Sequence, residues 1–217
     1  MKKTINILIA ILLFAGAGIA QDADQEKAKA ILDKASAKTK GYTTLTIKFG
    51  VTISNPDTEE TIGQKGTIKI KDGKYRLDMT DQEIYNNGKV ITTYLKEDNE
   101  CYKSDATEVE EDMISPEELL TIWEDGYNYK YGGETEYAKA KCDIIFLYPK
   151  NPKESKFHTI KLIINQERSE VVWVHLKGKD GSKMTYKLVE MKKDLEMDDS
   201  IFEFNEGEHP GVECYDE

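Results

Sequence analysis

The sequence GTIKIKDGKYRLDMTDQEIYNNGKVITTYLKEDNECYK, residues 66–103, decides the fold class. Apolar and polar residues alternate along it, as at Ile68 and Ile70, and this period of two is typical of a strand with one buried face. Turn sequences separate the alternating runs at residues 71–74 (KDGK) and 86–89 (NNGK), where Asn, Asp and Gly favour tight reversals. The stretch therefore predicts an antiparallel meander with one apolar face.

The rest of the chain extends this sheet and places one helix before it. Residues 22–40 carry apolar side chains at helical spacing, and Gly41 ends the helix. The period changes to two from Tyr42, and further alternating segments follow residue 127. About ten or eleven evenly spaced strands with few helices predict a barrel or a strongly curved sheet.

A second, short helix interrupts the meander. Ser115 is a predicted N-cap, Pro116 occupies the first helical position, and Glu118 completes a capping box. The helix is unusually apolar from Leu119 to Trp123. Because it is short and apolar and lies between strands, we interpret it as a candidate lid.

The first twenty residues predict a signal peptide. Two lysines precede an apolar run that ends at the small residues before Gln21, and the run is too short for a membrane span of about 20 apolar residues. We expect cleavage after Ala20, no lipid anchor, and one domain over residues 21–217. Removal of two lysines and no carboxylate changes the net charge from −11 to −13, and so acidic a chain is not expected to bind nucleic acid.

No catalytic or metal-binding motif stands out. His158, His175 and His209 lie far apart, without a nucleophile or a second ligand at a recognisable spacing. Three cysteines remain, and their odd number allows at most one intramolecular disulfide, so the sequence leaves open one bond or three buried thiols. No CxxC spacing supports a metal site.

The apolar strand face has two interpretations. It either fills a closed barrel as ordinary core, or it lines a cavity, because a curved sheet covered by helices on its concave side can hold an apolar ligand. Both interpretations fit a single residue such as Ile68 or Leu77. The separate apolar helix favours the cavity.

The order of these elements resembles that of the periplasmic carrier proteins for outer-membrane lipoproteins, the LolA-type family, across nearly all of the mature sequence. The resemblance rests on AILDKASAKTKGY, on GTIKIKDGKYRLDM followed by YNNGKVITTYLKEDNE, and on SPEELLTIWEDGYNYKY, FLYPKNP and FEFNEGEHPGVE. It implies a half-open antiparallel barrel, covered by the N-terminal helix and the lid helix, whose apolar cavity carries lipoprotein acyl chains from the inner to the outer membrane. It also implies an inner-membrane releasing complex and an outer-membrane acceptor as partners, and it requires no cofactor.

One motif departs from this family. Many members carry an Arg-Pro pair at the turn after the strand that corresponds to residues 67–71, and that arginine is taken to latch the lid. Here the turn reads Lys71-Asp72-Gly73, so the latch is not carried over. Arg76 lies nearby and is either a substitute latch or a cation that stabilises the sheet.

We therefore predict a soluble, monomeric periplasmic carrier rather than an enzyme, with a lipid or lipoprotein sensing module on the same fold as the alternative. The wall and lid residues follow from the strand alternation, in which Val90, Thr92 and Tyr94 are assigned to the apolar face, and a shift by one residue would invert a strand. The predicted acyl-binding residues are Leu45, Ile47, Phe49, Ile68, Ile70, Tyr75, Leu77, Tyr94, Leu119 and Trp123.

Overall fold

The computed structural model describes residues 16–58, 60–107 and 120–216. Within these ranges the chain forms one α-helix, two short 3-10 turns and twelve strands. The elements are α1 (Gly16–Lys40), β1 (Thr44–Ser54), β2 (Thr61–Lys71), β3 (Lys74–Met79), β4 (Gln82–Asn86), β5 (Val90–Leu95), β6 (Glu100–Asp105), β7 (Tyr127–Tyr137), β8 (Ala140–Pro149), β9 (Phe157–Asn165), β10 (Glu170–Gly178), β11 (Lys183–Lys193), the 3-10 turns Asp199–Phe202 and Glu206–Glu208, and β12 (Glu213–Asp216).

All twelve strands belong to one curved sheet. Their order is β12-β6-β5-β4-β3-β2-β1-β11-β10-β9-β8-β7, so β12 and β7 are its two ends and the barrel stays open. Every neighbouring pair is antiparallel except β12 and β6, which run parallel. The predicted mainly β fold, a half-open curved sheet with an N-terminal helix, is confirmed.

The turns follow the predicted chemistry. At the β2–β3 hairpin, Asp72 and Gly73 have φ values of 50° and 75°. Two consecutive positive φ values suit the right-handed twist of a hairpin, and Asp-Gly tolerates them at little cost. This turn fixes the register in which Ile70 faces Tyr75 and Ile68 faces Leu77.

Helix α1 covers half of one face of the sheet, which we call the inner face. Ala28, Leu32 and Ala35, at the predicted helical spacing, are at most 2% exposed. They pack against inner-face residues of β8, β9 and β10 in the β7–β10 cluster, whose buried members are Ala28, Leu32, Ala35, Trp123, Ile145, Leu147, Ile160, Leu162, Ile164, Val171, Val174 and Leu176. Each fully buried aliphatic side chain there stabilises the fold by about 1.5–3 kcal/mol.

The opposite face of the sheet is called the outer face. Its half that lies away from α1 is covered by residues 194–216, which we call the C-terminal strap. Phe204 of the strap packs on Tyr85 and Tyr94, with ring centroids 5.5 and 5.4 Å away. A disulfide joins Cys101 of β6 to Cys214 of β12, whose Cα atoms are 4.4 Å apart. This bond settles the pairing that the sequence left open, and Cys142 is a buried free thiol.

Two details differ from the sequence-based expectations, and a third lies outside the described residues. The predicted count of ten or eleven strands omits β12, because this four-residue parallel strand has no apolar alternation and is held by the disulfide. The predicted helix start at residue 22 is too late, because α1 already includes Gly16. The predicted lid helix lies mostly in residues 108–119, outside the described ranges. Among the described residues, no helix combines the length and apolar character that crossing a membrane requires.

Candidate functional site

The second apolar cluster of the inner face lies on β1 to β5. Cross-strand pairs build it directly, because Leu45 faces Ile70 and Ile47 faces Ile68 between β1 and β2. Residues on the same face of neighbouring strands have adjacent side chains, so these pairs form a continuous apolar surface. The buried members of this β1–β5 cluster are Leu45, Ile47, Ile68, Ile70, Tyr75, Ile84 and Leu120, and Tyr42, Phe49, Leu77, Ile91, Leu188 and Met191 pack against them half-buried.

A glycine shapes the middle of the cluster. Phe49 faces Gly66 across β1 and β2, and a Cβ atom at Gly66 would lie 2.6 Å from Cζ of Phe49 and 2.8 Å from Sδ of Met79. The phenyl ring therefore lies over the backbone of β2, in space that any other residue would occupy. It remains half-buried, so part of its surface is available to a ligand.

Beyond Phe49 the apolar surface reaches the solvent. Ile53 and Ile62 face each other at the far end of β1 and β2, and they are 39% and 54% exposed. By strand alternation both side chains lie on the inner face, in line with Ile47 and Ile68. The inner face of β1 and β2 is thus apolar along most of its length, from buried residues to an exposed rim.

A cavity of about 320 Å³ lies at the opposite end of the cluster. Apolar residues form its floor. Charged residues of the C-terminal end of α1 and of the β2–β3 turn surround it. A volume of roughly 300–1,000 Å³ is usual for ligand pockets. The lining residues are Thr39, Lys40, Tyr42, Thr43, Thr44, Leu45, Ile70, Lys71, Asp72, Gly73, Leu120 and Thr121.

A buried carboxylate borders this cavity through Tyr42. Glu170 is 5% exposed; its Oε1 accepts hydrogen bonds from the Tyr42 hydroxyl at 3.0 Å and from Nζ of Lys193, and its Oε2 lies 3.4 Å from Nε of Arg168. Burial raises the pKa of Tyr42. Burial alone would lower the pKa of Lys193, but its hydrogen bonds to Glu170 and Tyr42 raise it. The group is charge-compensated and fixes Tyr42 at the edge of the apolar surface.

The structure brings seven of the ten predicted residues together. They belong to the β1–β5 cluster, which also contains residues that were not predicted from the sequence. Those seven are Leu45, Ile47, Phe49, Ile68, Ile70, Tyr75 and Leu77.

The assignment of Tyr94 to the apolar face is wrong. Thr93 faces Ile84, an inner-face residue, whereas Tyr94 faces Glu83 and therefore points outward. Its ring packs on Phe204 and His209 of the strap. The alternation was ambiguous here because Val90 and Ile91 are both apolar, so either parity of β5 fits the sequence.

The two predicted lid residues have different outcomes. Leu119 lies outside the described residues. Trp123 is 3% exposed and belongs to the β7–β10 cluster, where its indole N–H donates to Oγ of Ser36 in α1 at 2.8 Å. Lys40 of α1 and Glu124 form an ion pair at 2.6 Å. These contacts tie residues 120–124 to the helix, and Leu120 joins the β1–β5 cluster.

Sequence reasoning missed several members of the cluster. Leu120 was detectable as part of the apolar helix, and Tyr42 as the residue at which the period of two begins. Ile84 and Ile91 carried no clear signal, because each lies beside another apolar residue that faces the other way. Leu188 directly precedes a β-bulge at Val189, opposite Lys48 and Phe49, and an extra residue inverts the alternation of a strand.

The turn Lys71-Asp72-Gly73 contacts the strap. Lys71 and Lys74 each lie 2.7 Å from a carboxylate oxygen of Asp199. Arg76 points to the outer face, where it pairs with Asp78 at 2.9 Å and Glu83 at 3.3 Å. Its position favours the sheet-stabilising interpretation over that of a substitute latch.

The chemistry of the site is that of an apolar surface. The described residues contain no group of three or more histidine, cysteine, aspartate or glutamate side chains placed to hold a metal ion. The inner face of β1 to β5 offers mainly aliphatic and aromatic area, interrupted by single polar side chains such as Gln64 and Thr93. Such a surface binds apolar chains through the hydrophobic effect.

Comparison with solved structures supports the fold. An uncharacterized conserved protein from Thermus thermophilus aligns with a TM-score of 0.58 at 11% identity, covering 88% of this chain and 99% of its own. The lipoprotein LppX from Mycobacterium tuberculosis aligns with a TM-score of 0.52 at 13% identity, covering 80% and 98%. A LolA superfamily protein from Nitrosomonas europaea gives 0.42 at 12% identity, covering 82% and 97%. At these identities the first two likenesses show a shared fold.

Comparison of sequences places the chain in a family. No curated protein sequence matches it significantly. The family described as outer membrane lipoprotein carrier protein LolA, however, matches residues 17–142, which is more than half of the chain. This match covers α1 and the whole of β1 to β6, the part that carries the β1–β5 cluster. The chain therefore belongs to the LolA family of outer membrane lipoprotein carrier proteins.

Proposed function

We propose that this protein is a soluble periplasmic carrier that binds the acyl chains of lipoproteins on the inner face of β1 to β5 and moves them between the two membranes. The observation that supports this most is the apolar surface that runs along β1 from the cavity beside Leu45 and Ile70, across Phe49 and Val51, to the exposed pair Ile53 and Ile62. Membership of the lipoprotein carrier family agrees with it.

The energetics suit a carrier. An acyl chain gains about 0.8 kcal/mol for each CH₂ group that leaves water. Half-buried residues such as Phe49, Leu77 and Leu188 supply contact area without a completed core around them. Binding therefore needs no covalent step and is reversible, as transfer to an acceptor requires.

The proposal includes the export of the chain. Residues 1–20 would be a signal peptide cleaved after Ala20, and residues 21–217 the mature domain. By family resemblance, the releasing complex of the inner membrane would supply the lipoprotein and an outer-membrane acceptor would receive it. Leu119 and Trp123 are proposed to belong to a lid over the cavity.

A transfer assay tests this function. Purified protein is added to inner-membrane vesicles that hold a labelled lipoprotein, and the soluble label is measured against an albumin control. Release well above albumin is expected, and release equal to albumin would rule out the carrier function.

A pair of matched variants tests the site. Leu77→Glu places a charge on the inner face, where Leu77 is half-buried, so it should weaken binding of a fluorescent fatty acid about tenfold or more. Leu195→Glu makes the same change at a 45% exposed strap residue and should leave binding unchanged. Unfolding midpoints are measured for both; an equal loss of stability and binding in Leu77→Glu would make Leu77 an ordinary core residue.

A further inference from the structure

The outer face of β8 to β11 carries a group of cations and aromatic rings. Cross-strand pairing joins Phe146 to Lys161, Lys161 to His175, and His175 to Thr185. In the adjacent rows Trp173 faces Lys187 and Lys177 faces Lys183. Alternation places all of these side chains opposite the inner-face cluster. We call this surface the basic outer patch, and it consists of Phe146, Lys161, Trp173, His175, Lys177, Lys183 and Lys187.

The patch has the opposite charge to the molecule. The whole chain carries a net charge of −11, yet the four lysines of the patch make no ion pair with any described residue. Lys177 and Lys183 are exposed and face each other directly, an arrangement that destabilises a sheet. These like charges lower the stability of the sheet, and no carboxylate in the described part of the sheet compensates them. They therefore indicate a surface that pairs with negative charge from another molecule.

Three of the lysines surround His175 in the strand register, Lys161 directly opposite it and Lys177 and Lys183 in the next row. Burial lowers the pKa of His175, and the charges of Lys183, Lys161 and Lys177 lower it further. The imidazole therefore lies within the field of three ammonium groups. A carboxylate placed over His175 would meet all three charges at once.

The aromatic rings hold the central lysine in place. Nζ of Lys161 lies 5.5 Å from the ring centroid of Trp173 and 5.9 Å from that of Phe146. Trp173 and His175 are stacked, with centroids 5.5 Å apart and planes at 16°. Phe146 lies against Gly132 of β7, where a Cβ atom would come within 2.6 Å of its ring. These contacts restrain the Lys161 ammonium group between two aromatic rings, which lowers the ordering cost of binding.

On the other half of the outer face, the lysines and aromatic rings of the sheet are covered by the strap. There the strap, which has nine carboxylate residues and no lysine or arginine, lies on the sheet. Its Asp199 pairs with Lys71 and Lys74, and its Glu206 pairs with Lys103 at 2.7 Å. Its Phe204 packs on the rings of the strands below. An acidic polypeptide with interspersed aromatic residues therefore matches an outer-face surface of lysines and rings.

We infer that the basic outer patch is a docking surface for an acidic, aromatic-containing polypeptide segment of a partner protein. Carboxylates of that segment pair with Lys161, Lys177, Lys183 and Lys187, and its aromatic side chains stack on Trp173 and Phe146, as the strap does on the other half. The patch lies on the face opposite the acyl surface, so partner docking and acyl binding are compatible in one molecule. The inference does not depend on the acyl-binding function.

Peptide binding tests the inference. The probe is a fluorescein-labelled peptide with the sequence DLEMDDSIFEFNE, residues 194–206 of the strap, titrated with the full mature chain and followed by anisotropy. Binding should weaken about tenfold or more when salt rises from about 50 to about 300 mM. The same peptide with every Asp and Glu replaced by Asn and Gln should not bind.

Two triple variants with the same change in net charge distinguish loss of docking at the patch from general electrostatic repulsion. K177E/K183E/K187E should weaken peptide binding about tenfold or more, since each lost contact and added repulsion acts at the patch. K34E/K38E/K89E changes three exposed lysines elsewhere by the same charge and should alter binding less than about twofold. Equal weakening in both variants would overturn the inference. The single variant K183E serves if the triple variant does not fold.

Indole signals locate the bound peptide. The N–H signal of Trp173 should shift on titration, whereas that of Trp123, which is 3% exposed among inner-face residues, should not. A shift at Trp123 alone would place the peptide elsewhere and refute the inference.

Vesicles of phosphatidylcholine with about one quarter phosphatidylglycerol are titrated in parallel. Lysine-dependent binding to these vesicles without peptide binding would assign the patch to a membrane surface instead, contrary to the inference.

Discussion

Gly66 determines the shape of the apolar surface at its centre. It faces Phe49, and the phenyl ring and Sδ of Met79 fill the space above its Cα atom. The conformation of Phe49 in the cluster therefore depends on a hydrogen atom at this position of β2. The ring centroids of Phe49 and Tyr186 are 6.2 Å apart, and Tyr186 packs against the β7–β10 cluster, so Phe49 lies where the two inner-face clusters meet.

We predict that Gly66→Ala displaces Phe49 and lowers the free energy of unfolding by about 1–3 kcal/mol, because the added methyl group overpacks a filled site. Acyl-probe affinity should change with it, since the ring moves. Gly63→Ala is the control on the same strand, where a Cβ atom would meet nothing within 4 Å. Chemical denaturation measures both variants; equal stability of Gly66→Ala and wild type would contradict the packing described here.

Among the elements, the C-terminal strap is the one held by the most diverse contacts. It is fixed at its start by Asp199, in its middle by Phe202, which is fully buried, and at its end by the disulfide to β6. The strap covers outer-face residues such as Tyr94 that would otherwise face water. Its loss would expose apolar rings and one edge of the sheet.

The disulfide should contribute a large part of the stability of the strap. It links residues 113 positions apart, and closure of so long a loop restricts the unfolded chain, so its removal is expected to cost about 2–5 kcal/mol. Denaturation with and without a reductant measures this. The variant Cys101→Ser/Cys214→Ser should match the reduced protein and lose all response to reductant; a response that persisted would point to Cys142 instead.

The ion pairs of Asp199 predict an acid-sensitive step. Its hydrogen bonds to Lys71 and Lys74 lower its pKa from 3.8 to about 2. A carboxylate with a lowered pKa in the folded state stabilises the fold above its unfolded pKa, and this contribution is lost as pH falls from 3.8 towards 2. The stability difference between wild type and Asp199→Asn should therefore be constant near neutral pH and disappear across this range.

A double-mutant cycle checks the source of that effect. Lys71→Gln/Lys74→Gln should remove most of the pH-dependent difference in wild type and add little to Asp199→Asn, because the same ion pairs are broken in both. Thermal unfolding at several pH values gives the four stabilities. Additive effects of the lysine and aspartate substitutions would show that the pairs do not act together.

On the scale of the whole molecule, the sheet has a stable centre and two weaker ends. The strands β9 and β10 lie inside the sheet and carry residues such as Leu162 and Leu176 that are at most 1% exposed. Amide exchange should therefore be slowest in β9 and β10 and fastest in β7 and β12 at the ends. Reductant should accelerate exchange in β12 and β6 only; acceleration across β9 and β10 would mean that the sheet unfolds as one unit.

The predictable part of this molecule is the part that alternation and turn chemistry encode. The meander of residues 66–103, the α1 stripe of Ala28, Leu32 and Ala35, and the cluster of Ile68 and Ile70 all followed from local periodicity. Face assignment failed at Tyr94, where adjacent apolar residues make the parity of the strand ambiguous. The partners of the strap were not predictable, because its ion pairs and its disulfide join residues distant in sequence.

The unequal ends of the sheet limit how copies of this protein associate through backbone hydrogen bonds. The β12 end is a four-residue strand with carboxylates at Glu213 and Asp216, and it is covalently fixed to its neighbour. The β7 end is eleven residues long. A molecule with a single usable edge pairs with one other copy about a two-fold axis and then has no edge left. If copies of this chain associated edge to edge, the assembly would therefore stop at a dimer and would not propagate into a fibre.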